Sequence, residues 1–174
     1  MAAEEKIQWF AARPGPKREL AVKRKLADLG VSHFIPTHKV LHVRTDRKVY
    51  LEQPLIPGLI FLQATKTGAC ALVNDGYINV RYLIDRSTRT LLVVPDRQME
   101  SFMKVVSQMP DALCPPEFRF VPGGRVKVIE GIFAGVEGEV VQDSDLTYVV
   151  VNLGGLVCAK VKIPKSFLRP IASN

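Results

Sequence analysis

Over residues 122–140 the chain alternates and then bends on glycine, a pattern that leaves few folds open. Val126 and Val128 alternate with Arg125 and Lys127, so a strand here has one apolar face and one basic face. Gly131, Gly135 and Gly138 follow where a short crossover must turn, and glycine reaches positive φ without a Cβ penalty. Strands are predicted at residues 125–129, 136–142, 146–151, 157–163 and 167–170, with turns at Asp143-Ser144-Asp145 and Gly154-Gly155. Short strands at this spacing predict a small all-β, SH3-like barrel over residues 120–174. The run Tyr148-Val149-Val150-Val151 and the glycines favour strand over helix.

Upstream the character differs. The stretch at residues 108–116 carries Pro110, Pro115 and Pro116 and propagates neither a helix nor a central strand. It is expected to be an extended, semi-rigid linker, residues 108–119, between the barrel and a domain at residues 1–107. In that domain residues 7–12 read as a strand, broken by Arg13-Pro14-Gly15-Pro16. Residues 17–29 read as a helix closed by Gly30 at C′, with Val22, Leu26 and Leu29 on one face. Residues 31–34 and 39–44 are expected to be extended, with a turn at 45–48 and a returning strand at 49–52. Residues 59–62 form an apolar strand buried on both faces, 66–74 a short helix and 80–84 a further strand. Pro95 opens an amphipathic helix with Met99, Phe102, Met103 and Val106 at i, i+3, i+4 and i+7. Strands mixed with helices predict an α+β sandwich, one antiparallel sheet covered by helices.

Charge narrows the range of partners. The chain is +7 overall, and residues 1–50 alone hold 11 Lys/Arg against 5 Asp/Glu. Such asymmetry suits a polyanion, nucleic acid above all, although a solubilising surface gives the same tally. No apolar run approaches the ~20 residues that span a bilayer, and no signal peptide is visible at the start. Cys70, Cys114 and Cys158, three and far apart, suit free thiols in a reducing cytoplasm. His33, His38 and His42 lack the cysteine or acidic companions of a metal site. No phosphate-binding loop or nucleophile elbow is present, so neither an enzyme nor a cofactor is expected.

Two motifs in order carry a resemblance. Trp9-Phe10 opens the first strand, Lys17-Arg18-Glu19 leads into the first helix, and Pro54-Leu55-Ile56-Pro57-Gly58-Leu59-Ile60-Phe61 leads into a central strand. After the linker comes the pattern of residues 122–140, which resembles the KOW motif. Together, over nearly the whole chain, these resemble the NusG family of transcription elongation factors.

The resemblance implies a factor that binds RNA polymerase through its N-terminal domain, on the coiled-coil tip of the clamp of the largest subunit. The carried-over apolar contact is Trp9, Ile56, Pro57, Leu59 and Phe61, expected to form a water-facing patch. Replacing Ile56 and Leu59 by aspartate is then expected to abolish binding without unfolding. Ile56 and Leu59 stand where the family often has aromatic residues, which points to a specialised paralogue serving particular long operons. Non-template DNA at the transcription bubble is expected against Lys17, Arg18, Arg44, Arg47 and Lys48. In the barrel, Asn152, Leu153 and Gly154 occupy the loop that binds a ribosomal protein or a termination factor, although the aromatic residue common at Leu153 is missing. A cytoplasmic monomer that suppresses pausing or termination is the expectation. A ribosome-associated RNA-binding KOW protein is the alternative.

Overall fold

A computed structural model describes residues 5–115 and 118–172 and falls into two units, Met1–Val94 and Pro95–Asn174. In the first, β1 (Gln8–Pro14) pairs antiparallel with β5 (Ile60–Ala64) on one side and with β6 (Val80–Tyr82) and β7 (Val93–Val94) on the other. β2 (His33–Phe34) adds to the far side of β5. Register sets the faces, because directly opposed residues point the same way. Phe10 faces Leu62 and Ala12 faces Ile60. These four join Val22 and Leu26 of α1 (Glu19–Asp28), Ala69 of α2 (Lys66–Asn74), Ile35, Ile78 and Val80 in one core. The sheet is thus covered by helices, as the α+β reading requires.

α1 starts two residues later than expected, and the cause is local. Residues 15–18 make a β-turn in which the Arg18 amide donates to the Gly15 carbonyl at 3.0 Å, with Lys17 at φ +58. A helix cannot run through that residue. At the other end Gly30 (φ +67) donates to Ala27 and the Val31 amide donates to Leu26, the paired bonds of a Schellman motif. β3 (Thr37–Val43) and β4 (Lys48–Pro54) form a separate two-stranded ribbon, longer than the sequence suggested. Glu52 ties it to α1, accepting from Thr37 at 2.6 Å and from Lys23 at 3.1 Å. The hydrogen bond from Thr37, with a smaller contribution from Lys23, holds the Glu52 carboxyl below its usual range.

Tyr82 packs edge-on against Phe10, with ring centroids 6.2 Å apart, and its hydroxyl donates to the Ala69 carbonyl at 2.8 Å. Burial, with a smaller contribution from Cys70, pushes the phenol from 10.0 up to about 12. Between those values the unfolded chain has lost the proton and the folded chain keeps it. The contribution is therefore complete below about pH 10 and disappears as the pH rises to about 12. Urea titrations followed by Trp9 fluorescence should show the first unit weaker at about pH 11 than at about pH 9, and Tyr82→Phe should remove this difference.

The second unit opens with α3 (Asp96–Gln108) and then builds five antiparallel strands: β8 (Arg125–Val128), β9 (Glu137–Asp143), β10 (Leu146–Leu153), β11 (Val157–Lys162) and β12 (Leu168–Pro170). Their order is β11-β10-β9-β8-β12, the SH3-like arrangement expected of the KOW region. Val126, Val128, Val149, Val151, Leu153 and Val161 are buried. α3 packs on β9, β10 and β11, and its Ser101 hydroxyl accepts from the Glu137 amide at 3.0 Å. Arg97, Arg125 and Lys127 each stand 3.7 Å from the Glu137 carboxylate.

α3, which the sequence groups with the N-terminal domain, packs within the second unit, on β9, β10 and β11. The proline-rich stretch is not simply an extended linker: residues 110–112 form a 3-10 turn, and Leu113 bridges to Ala159 on β11. Proline stops a regular element but leaves the carbonyls and remaining amides free to dock. Pro116 and Glu117, inside that stretch, lie outside the described residues.

Candidate functional site

The start of α1 gathers positive charge. β1 ends at Arg13-Pro14, the turn at Gly15-Pro16 reverses the chain, and Lys17 and Arg18 stand exposed just before the helix. Arg13 is the direct antiparallel partner of Arg81 on β6, and both are exposed. Like charges directly opposed in a ladder destabilise it. Among the described residues no carboxylate lies within ion-pair distance of Arg13, Lys17, Arg18 or Arg81. Arg13 and Arg81 line an open cleft with Pro14, Gly15, Pro16, Asn79 and Val80, and Lys17 and Arg18 follow in the chain just outside it. The one carboxylate there, Glu19, is 5% exposed and accepts from the Gly58 amide at 2.8 Å, which fastens α1 to the loop before β5. Gly58 takes φ +73 to make that bond.

Lys17 is the informative residue of the group. In a turn with proline at the second position, a third residue at positive φ is ordinarily glycine or asparagine. A lysine there forgoes local stability, and such outliers gather at functional positions.

The other expected DNA contacts sit elsewhere. Arg44 and Arg47 close the tip of the ribbon, where the Arg44 amide donates to the Arg47 carbonyl at 2.8 Å, and Lys48 begins β4. All three are exposed, and Arg47 lies 3.9 Å from Asp46, too exposed a pair to matter. Six residues of β3, 38–43, separate this tip from Thr37, where the ribbon is tied to α1, a reach of roughly 20 Å. The five predicted cations therefore form two groups, and Arg13 and Arg81 join the group at α1. The sequence reading missed these two because their meeting depends on strand register, which spacing does not reveal.

The ribbon also carries apolar surface. Leu41 opposes Tyr50 and shares its face with Val43 two residues on, and the exposures of Leu41, Tyr50 and Val43 are 43%, 68% and 72%. On the reverse face the ring of His42 is 3.2 Å from the Gln53 amide nitrogen. His33 lies on β2, with Nδ1 2.8 Å from the Val31 carbonyl.

The apolar residues expected to face water do not. Trp9, Ile56, Leu59 and Phe61 are 7%, 9%, 7% and 0% exposed, and only Pro57 of that set is exposed. A run in which Leu59, Ile60, Phe61 and Leu62 are all apolar buries both faces of its strand, which overrides the expectation of a free patch. The aspartate pair at Ile56 and Leu59 is therefore no clean probe of binding, since it sets carboxylates at buried positions.

In the barrel, Asn152 and Leu153 end the third strand, β10, and only Gly154 lies between it and the fourth. Leu153 is buried, and the Asn152 carboxamide accepts from the Gly155 amide at 3.0 Å. Gly154 and Gly155, at φ +59 and +77, supply the left-handed pair of a type I′ hairpin. Two of the three residues thus build the turn, and Gly154 is exposed at its tip.

Among the described residues no helix is long and apolar enough to cross a membrane. A family model described as "Transcription termination factor nusG" matches residues 7–103. No curated protein matches the sequence. A solved structure described as "Crystal Structure of MjSpt4:Spt5 complex conformation B" covers 95% of this chain and 97% of its own at 14% identity, with a TM-score of 0.26. A likeness of that size bears on neither fold nor function.

Proposed function

The chain belongs to the NusG family of transcription factors, and from that premise we propose that it binds elongating RNA polymerase and suppresses pausing or termination, on particular long operons. It does so by population shift: its affinity for the processive state of the polymerase exceeds that for the paused state. No covalent chemistry is needed. The cleft at the start of α1 takes the non-template strand, with Arg13, Lys17, Arg18 and Arg81 on phosphates. Arg44, Arg47 and Lys48 at the ribbon tip form a second, separate contact. The carrying observation is the Arg13–Arg81 opposition beside a lysine held at positive φ, charge placed at a cost to the fold and left unneutralised.

For the polymerase clamp, the proposed contact among the accessible apolar groups is Pro57 with the ribbon face of Leu41, Val43 and Tyr50. Trp9, Ile56, Leu59 and Phe61 join that contact only if they are first uncovered. Gly154 and Asn152 mark the proposed place of a ribosomal or termination-factor partner. The setting is the cytoplasm.

The test uses halted elongation complexes with a displaced non-template strand. The chain is expected to comigrate with them and to shorten pause lifetime, and Leu41→Asp with Tyr50→Asp should weaken comigration about tenfold while leaving Trp9 fluorescence unchanged. Capture on ribosomal subunits, with polymerase complexes unaffected, would install the alternative.

A further inference from the structure

Two of the three cysteines meet. The antiparallel bridge between Leu113 and Ala159 sets the register, and it puts Cys114 directly opposite Cys158 on β11. The Cys114 amide donates to the Cys158 carbonyl at 2.9 Å. Hydrogen-bonded antiparallel partners have Cα atoms about 5.5 Å apart and side chains on the same face. That separation falls within the roughly 4.4–6.8 Å that a disulfide spans. Both thiols are half-buried and hydrogen-bond to each other. The bond from Cys114 pushes the Cys158 thiol down, and the same bond, with burial and the Cys158 charge, pushes Cys114 up. Cys70, also half-buried, is on α2 in the first unit.

We propose that Cys114 and Cys158 form a reversible redox pair, closed to an intramolecular disulfide by a low-molecular-weight disulfide such as oxidised glutathione. Cys158, the better thiolate, attacks one sulfur of the oxidant; a protein–glutathione disulfide forms and one glutathione thiol leaves. Cys114 then gives up its proton and attacks the Cys158 sulfur, forming the Cys114–Cys158 bond and releasing the second glutathione. Two protein thiols are oxidised, one small disulfide is reduced, and excess reduced glutathione reverses both steps. Closure fastens residues 113–115 along the outer edge of β11, a sheet edge otherwise open to pairing. It also shortens the unfolded chain between residues 114 and 158, so the second unit becomes harder to unfold.

The full chain is titrated with oxidised glutathione and digested without reduction. The expected product is one linked peptide pair containing Cys114 and Cys158, about 2 Da lighter than the reduced pair and restored by reduced glutathione. Cys70→Ser should behave as the parent. Cys114→Ser should stop at a stable glutathione adduct on Cys158, and Cys158→Ser at a stable adduct on Cys114. Links that involve Cys70 or a second copy of the chain overturn the pairing. Should either serine variant fail to fold, peptide mapping of the Cys70→Ser chain decides alone: the 114–158 link upholds the proposal, and its absence at saturating oxidant ends it.

Discussion

Gly138→Ala should unfold the barrel selectively. A Cβ at this position would lie 2.5 Å from the Val150 carbonyl oxygen and 2.8 Å from Cγ1 of Val149. The nearer obstacle is backbone, so β9 and β10 must part to admit a methyl group. Overpacking a tight core typically costs 1–3 kcal/mol, and an obstacle that cannot rotate away puts this substitution at about 3 kcal/mol. Gly135 is the comparison. It takes φ +94 and has open space for 4 Å around the point a methyl group would occupy, so Gly135→Ala meets backbone strain alone, about 1 kcal/mol. Urea unfolding by far-UV circular dichroism reads both. The single tryptophan, Trp9, lies in the first unit and should report no change in either variant. Equal losses at the two positions would mean that β9 and β10 yield more readily than the close approach suggests.

The same pair of glycines marks how far sequence reached. Gly131, Gly135 and Gly138 read alike as bend residues, yet only Gly131 and Gly135 have positive φ; Gly138 sits inside β9 and is required by the neighbouring strand. Propensity and periodicity located α2, α3 and the five strands of the barrel to within a few residues, because each is decided within its own span. They missed the pairing of Val93–Val94 with β1 and the docking of Leu113 on β11, which depend on partners far along the chain. The candidate site divides in the same way. Lys17 and Arg18 were legible as cations at a helix start. The left-handed backbone under Lys17 and the Arg81 opposite Arg13 were not. The unbroken apolar run at Leu59–Leu62 correctly indicated two buried faces, whereas the family resemblance placed two of the same side chains in water; burial decided against the patch.

Lys17→Gly should make the chain more stable and a poorer nucleic-acid binder at once. Glycine suits φ +58 where lysine is strained, a relief of about 0.5–1 kcal/mol that the greater freedom of unfolded glycine partly offsets. Arg13→Gln with Arg81→Gln should act likewise, since removing opposed like charges relieves about 0.2–1 kcal/mol. Binding should move the other way. Each phosphate left without its cation reduces the slope of log K against log salt for a single strand by about 0.7, so the triple variant should lose about 2 from that slope. At about 0.1 M salt this corresponds to roughly a hundredfold weaker binding to a single-stranded oligonucleotide, measured by fluorescence anisotropy across a salt series. The opposed signs are what give the experiment its force. A purely structural role for these residues predicts that stability and binding fall together, and a merely solvated surface predicts that neither moves. Only groups held against the preference of the fold, for a polyanion to neutralise, raise one while lowering the other.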